Sequence, residues 1–231
     1  MATKVANEIK PEDLEVYIDL MTDTGFKKIF DNKEVMLNFL NSVLDIKGGI
    51  ADLQYGNPER PEYIKPEELI GIYELFCITG NGEHIIVEVQ PIPQICYRTR
   101  IASYTNDLIW ERLIMQKYQN YHLYSINILD FSMNNGQEKQ DYITHRQFVD
   151  SENKLSAVGN MSFVYIELPH FIKELHELKG LLEQWIFVFK NLHKLNNLPE
   201  ELRNEFFEAL FEAAKIEHLS SDELNNYMKE L

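Results

Sequence analysis

Cysteine is scarce. Cys77 and Cys96 are the only two among 231 residues, too few for a disulfide framework and without the spacing of a zinc site. Long apolar runs are missing as well. Segments such as Trp185 to Phe189 fall far below the roughly 18 residues that a membrane-spanning helix needs. The stretch from Met1 to Lys10 has no apolar signal-peptide core. These shortages argue against a membrane protein and against export, and the expected location is the cytoplasm. Positive charge is the third shortage: Lys plus Arg is 22 against 37 for Asp plus Glu, a formal net charge of −15. Affinity for nucleic acid comes mostly from neutralised phosphates, so this balance argues against a general DNA-coating protein. The remaining composition is that of a soluble globular chain, 45% hydrophobic and 26% charged, which excludes wholesale disorder.

The acidity is uneven. From Asn191 to Leu231 there are nine acids and four bases, whereas from Tyr97 to Gln116 Arg98, Arg100 and Arg112 meet only Asp107 and Glu111. A local anion-binding patch is therefore compatible with the overall charge. Helical spacing of Phe26, Phe30, Met36, Phe39, Leu40 and Val43 predicts helices before and over Lys33–Leu44, with Gly48-Gly49 as the exit. Strands are expected over Ile50–Tyr55, Ile70–Thr79, Glu83–Gln90, Leu123–Phe131, Tyr142–Val149 and Met161–Leu168. A long amphipathic helix is expected over Ile95–Tyr118, and three more over Glu174–Leu192, Pro199–Ile216 and Ser221–Glu230. Interleaved strands and helices followed by helices alone indicate an α/β core, residues 1–169, with a C-terminal helical region, residues 170–231, packed on it.

The hairpin is the most informative stretch. Gly80-Asn81-Gly82 is a three-residue loop, and loop length sets hairpin register. Pairing Thr79 with Glu83 brings Ile78 opposite His84, Phe76 opposite Ile86 and Glu74 opposite Glu88. The two acids would then have β-carbons about 5 Å apart, with Gln90 on their face because it lies two residues beyond Glu88. Like charges paired on a sheet need compensation, and a divalent cation supplies it: magnesium takes hard oxygen ligands, often one or two carboxylates. The alternative is a solvated sheet face on which Glu74 and Glu88 meet water or lysines. Cys77 falls on the opposite face and reads as a buried apolar side chain.

Three segments carry a resemblance: Asp23-Thr24-Gly25-Phe26-Lys27-Lys28-Ile29-Phe30, Gly71-Ile72-Tyr73-Glu74 and Ile85-Ile86-Val87-Glu88-Val89-Gln90. Together with Arg100, Tyr104, Ile126–Phe131, Phe163–Pro169 and the helical tail, they resemble the PD-(D/E)XK nuclease family transposases. That resemblance implies a restriction-endonuclease-like α/β core, a mixed central sheet flanked by helices, with a C-terminal helical extension. It also implies a metal-dependent DNA endonuclease site with Mg²⁺ or Mn²⁺ held by Glu74 and Glu88, and with Gln90 as the third catalytic position. The family usually has Asp where Glu74 stands, and Gln90 replaces the lysine of the superfamily name, as is common in this branch.

Supporting roles follow from the same resemblance. Asp23 would act behind the metal ligands, or else cap the helix that contains Phe26. Lys27, Lys28, Arg98 and Arg100 would contact phosphate, the competing reading being solvated lysines and a structural salt bridge. The expected partner is DNA, bound weakly through a local patch; a homo-oligomer is compatible with the sequence. A second function class stays open: a nuclease-fold descendant without catalysis that serves as a binding or oligomeric adaptor, consistent with Glu74, Gln90 and the charge of −15.

Overall fold

The computed structural model describes residues 15–56, 73–92, 122–133, 141–147 and 161–231. Six strands, β1 (Leu53–Gly56), β2 (Tyr73–Thr79), β3 (His84–Gln90), β4 (Leu123–Leu129), β5 (Ile143–Gln147) and β6 (Met161–Glu167), form one mixed sheet in the order β1-β2-β3-β4-β6-β5. The pairs β1/β2, β2/β3 and β5/β6 are antiparallel, and β4 lies parallel to both β3 and β6. The near-continuous apolar run of β4 puts it in the middle of the sheet, where both faces are covered. A parallel partner requires a crossover of a dozen or more residues. The helix expected over Ile95–Tyr118 falls in that connection and lies outside the described residues.

Five α-helices accompany these strands among the described residues: α1 (Asp23–Phe30), α2 (Lys33–Val43), α3 (Gly180–Asn191), α4 (Glu205–Ala213) and α5 (Ser221–Glu230). Three sequence expectations are corrected. The helix expected from Glu174 begins only at Gly180, whose φ of 78° cannot continue an incoming helix; Leu175–Glu177 upstream is a single 3₁₀ turn. Pro199 opens another short 3₁₀ turn, Glu200–Leu202, and α4 starts afterwards because Asn204 accepts a hydrogen bond from the Phe207 N–H at 3.0 Å. Helix α2 stops at Val43 because Leu44 turns extended, and the glycine pair belongs to the following turn. The last helix runs as expected, fixed by a capping box in which Ser220 and Glu223 satisfy each other's backbone N–H groups.

One hydrophobic cluster fills the space between the helices and one face of the sheet. Cys77, Ile85, Val87, Val89, Ile126, Ile128, Val164 and Ile166 meet Phe26, Phe30, Phe39, Trp185, Phe189 and Phe207 there. Trp185 packs edge-on against Phe39 at 5.5 Å between ring centroids, and its indole N–H donates to Asn38 Oδ1 at 2.8 Å. The C-terminal helix is tied to the start of the described chain: the Asp19 N–H donates to the Tyr227 hydroxyl at 2.7 Å, and Glu230 accepts from both the N–H and the hydroxyl of Thr24. The Thr-Gly-Phe sequence at α1 has a steric origin. A β-carbon on Gly25 would stand 2.0 Å from the Asp19 carbonyl oxygen.

Candidate active site

The loop between β2 and β3 sets the geometry of the other face. The Thr79 N–H donates to Glu83 O and the Gly82 N–H to Thr79 O, each at 2.9 Å. Gly82 has a φ of 86°, a conformation such a short loop demands and glycine supplies without steric cost. From this turn the ladder runs Ile78–His84, Phe76–Ile86 and Glu74–Glu88. The neighbouring ladders extend the last pair: Glu88 stands beside Asn127, Asn127 beside Tyr165, and Tyr165 beside Thr144. One level of the sheet thus carries a row of polar residues across five strands.

The face is set by alternation. Ile86, Leu123, Met161 and Phe163 form a small second cluster, with Phe76 and Tyr165 packed on it, opposite the helix-covered side. Glu88 and Gln90 follow Ile86 at two-residue steps and share its face. Glu88 is 3% exposed, and Gln90 and Asn127 are 0% exposed. The side chain of Glu74 lies outside the described residues, so for this position the finding is its backbone register.

Asn127 was not legible as a site residue beforehand. The signal that could have found it is a lone amide within the apolar run Tyr124–Leu129. Its Nδ2 donates to Ser125 Oγ at 3.0 Å, Ser125 O at 3.2 Å and Val164 O at 3.3 Å. Glu167 is the second omission. It closes β6 level with Leu129, which is itself level with Gln90, at the carboxyl end of the parallel strands where open α/β sheets bind ligands. The Glu167 carboxylate accepts from the Met133 N–H at 2.7 Å. His170 Nε2 lies 2.9 Å from Ser132 Oγ and 3.6 Å from the same carboxylate. A nucleophilic triad uses opposite ring nitrogens for its hydroxyl and its acid, and here one nitrogen faces both. This trio does not form a hydrolase relay.

Other sequence-derived residues stand apart from the row. Thr22, not Asp23, caps α1 by accepting from the Gly25 N–H at 3.1 Å. Asp23 is the first helical residue and pairs with Lys27 one turn on, at 2.7 Å. Lys28 pairs with Glu223 of α5 at 3.0 Å, which makes it a tie between helices. His84 is buried, with its ring edge-on to Phe76, a structural histidine. Cys77 is buried on the helix-covered face, where burial pushes its thiol up to about 12. Arg98 and Arg100 lie outside the described residues.

With this arrangement in view, comparison with family models matches residues 20–231 to the PD-(D/E)XK nuclease family transposases. The chain belongs to that family. Neither curated proteins nor solved structures give a match. The mixed sheet with helices packed on it is consistent with the PD-(D/E)XK nuclease fold, as expected from the sequence. Family membership supports a nuclease-like function. No helix among the described residues is long and apolar enough to cross a membrane.

PD-(D/E)XK nucleases generally use divalent metals. Among the described residues no group of three or more His, Cys, Asp or Glu side chains is arranged to hold one. The donor chemistry nevertheless fits a hard cation. The Glu88 carboxylate and the amides of Gln90 and Asn127 are oxygen-bearing side chains on adjacent strands, with neither thiol nor imidazole in the row.

Proposed function

We propose that this chain is a metal-dependent DNA endonuclease whose site is the polar row around Glu88. The observation that carries the reading is the register of Glu74 against Glu88 at the centre of a mixed sheet, in a chain of a nuclease family. Glu74 and Glu88 would hold Mg²⁺ or Mn²⁺. Such an ion lowers the pKa of a bound water and stabilises charge on a phosphodiester. The chain's own residues do the rest. Strand β3 fixes Glu88 and Gln90 on one face; Gln90 orients water or substrate, because an amide both donates and accepts but does not act as a base at neutral pH. Arg100, with Arg98, would hold phosphate, and Asp23 would act at most from behind through Lys27. Lys27 and Lys28 are already committed to carboxylates, which leaves DNA contact to a restricted patch and suits weak, salt-sensitive binding. Residues 1–169 would form the nuclease unit and residues 170–231 its helical buttress, in the cytoplasm.

The test is cleavage of supercoiled, linear and single-stranded DNA at low ionic strength. Cleavage should require a divalent cation, disappear in Glu88→Ala and persist, with weaker DNA binding, in Arg100→Ala. A second reading is a non-catalytic adaptor built on the same fold; it is favoured by the glutamine at the lysine position and by Glu74 where Asp is usual. Absence of cleavage in both wild type and Glu74→Asp would select that adaptor. Gain of cleavage in Glu74→Asp alone would show a cleft that one methylene separates from turnover.

A further inference from the structure

The six strands carry a single base. Their acids are Glu74, Glu88 and Glu167, and Arg146 of β5 is their one Lys or Arg. Two arginines fall among the described residues: Arg203 pairs with Glu200 at 3.2 Å, whereas Arg146 meets no carboxylate among those residues. The register fixes its face. Arg146 stands level with Phe163, Phe163 with Ser125, and Ser125 with Ile86, and residues directly level on neighbouring strands share a face. Ile86 and Phe163 belong to the small cluster opposite the helix-covered side, so Arg146 lies on the face of Glu88. Exposure rises along that face toward β5: Glu88 and Asn127 are buried, Tyr165 and Thr144 half-buried, and Arg146 exposed. The backbone of β5 adds donors. This strand ends the sheet order, so one of its edges has no strand beside it. The Glu167 N–H donates to Tyr142 O at 2.9 Å, one step before Ile143 meets Ile166. Hydrogen-bonded and non-hydrogen-bonded pairs alternate in an antiparallel ladder. Thr144 and Arg146 therefore bond to β6, while Ile143, His145 and Gln147 turn their N–H groups outward. His145 and Gln147 are exposed.

We infer that Arg146, with the outward N–H groups of His145 and Gln147, forms a phosphate-binding edge that holds the DNA backbone at a distance from the bond cut at Glu88. The inference rests on the nuclease reading, which makes a phosphodiester the anion to expect. Three strand spacings of about 4.8 Å and a two-residue offset put the Arg146 backbone roughly 16 Å from that of Glu88. That span is about five steps of duplex rise. Arginine and backbone N–H groups are common phosphate partners, and such contacts position a duplex without reading its sequence. A guanidinium also matches phosphate with two parallel hydrogen bonds. In a chain of net charge −15, carboxylates claim Lys27, Lys28, Lys33, Lys173 and Lys215; Arg146 keeps its charge for an anion from outside. The competing role is a guard, since edge strands carry charged residues that prevent edge-to-edge pairing. A guard works with charge of either sign, whereas phosphate requires a positive one.

Fluorescence anisotropy with a labelled duplex tests this on the full chain, across a series of salt concentrations and without divalent cation, so that the DNA stays intact. The proteins are wild type, Arg146→Ala, Arg146→Lys and Arg146→Glu, with melting temperature as the check on folding. Arg146→Ala should weaken binding about tenfold at low ionic strength, the loss of one charge-assisted contact. Its log–log salt slope should fall by about 0.9, the share of one duplex phosphate. Arg146→Lys should keep the slope and lose part of the affinity, because an ammonium lacks the two-pronged geometry. Arg146→Glu should bind more weakly than Arg146→Ala. In cleavage assays with Mn²⁺ the variants should raise KM more than they lower kcat, and calorimetry should find Mn²⁺ bound as in wild type. Wild-type DNA affinity and slope in Arg146→Glu would overturn the inference and make Arg146 an edge guard; metal-dependent cleavage lost in Glu88→Ala would then still support the nuclease reading. If wild type neither binds nor cleaves DNA, both readings fall together. Should Arg146→Ala aggregate, Arg146→Lys and Arg146→Glu keep a charge on the edge and decide the matter between them.

Discussion

The two faces of the sheet are made from alternate residues of the same strands, yet they are built to different rules. On the helix-covered face β3 offers Ile85, Val87 and Val89, which join a cluster closed by Phe30, Phe39, Trp185 and Phe189. On the other face the same strand offers His84, Ile86, Glu88 and Gln90, next to Ser125 and Asn127 of β4. The first face gains free energy from dry apolar area and aromatic packing. The second gives up part of that gain to bury groups that water would solvate better, and each must be met by hydrogen bonds or by a ligand. A sheet can carry such a polar row because the opposite face holds the strands in place. Dry apolar packing is concentrated on one side, and under the proposed function the chemistry falls on the other, so substitutions should separate the two.

The largest loss of stability belongs to the aromatic side. Trp185→Ala removes a fully buried indole and strands Asn38; chemical denaturation should show a loss of about 3–5 kcal/mol. The complementary result comes from Glu88→Gln, which should remove metal-dependent cleavage while leaving the metal-free protein at least as stable as wild type. A cleavage defect in Trp185→Ala with unchanged denaturation, or unfolding of Glu88→Gln, would break the division between faces.

Smaller effects sharpen it. Tyr227→Phe deletes the hydroxyl that accepts from the Asp19 N–H; denaturation should report a loss of about 1 kcal/mol and cleavage assays no change. Glu183 supplies a pH signature on the helix-covered side. Burial opposes its ionisation, but Lys173, the Lys179 N–H and the Tyr142 hydroxyl together hold its carboxyl below the ordinary carboxylate value. Its stabilisation is therefore present above the unfolded-state pKa and is lost as pH falls through the lower folded one. Acid unfolding monitored by circular dichroism should lose that component in Glu183→Gln.

The hairpin was legible because its loop length leaves little choice of register: Gly80-Asn81-Gly82 alone leads to the Glu74–Glu88 pairing. The family resemblance was legible because ordered short segments survive in sequence even where no single one is specific. Helix starts in the tail were harder. Pro199 with Glu200 and Glu201 carries every local sign of a helix start, yet the Asn204 cap, met by a donor three residues on, begins α4. The break at Gly180 depends on a positive φ that one glycine in a helical pattern does not announce. Asn127 and Glu167 escaped for another reason. Their significance is lateral, arising from strands adjacent in space, and pairing across parallel strands leaves no local trace comparable to a turn. Assigning Asp23 as a cap missed by one residue, because Thr22 and Asp23 are both good capping types and only the Thr22 backbone is extended ahead of the helix.

The most direct test is titration of Mn²⁺ into wild type and Glu88→Gln, followed by melting of both with and without the ion. If the polar row is a metal site, wild type binds the ion and melts at a higher temperature in its presence, because the ligand stabilises only the native state. Glu88→Gln folds but shows neither binding nor shift. Equal binding and equal shifts in the two proteins would contradict that assignment and place any bound metal elsewhere.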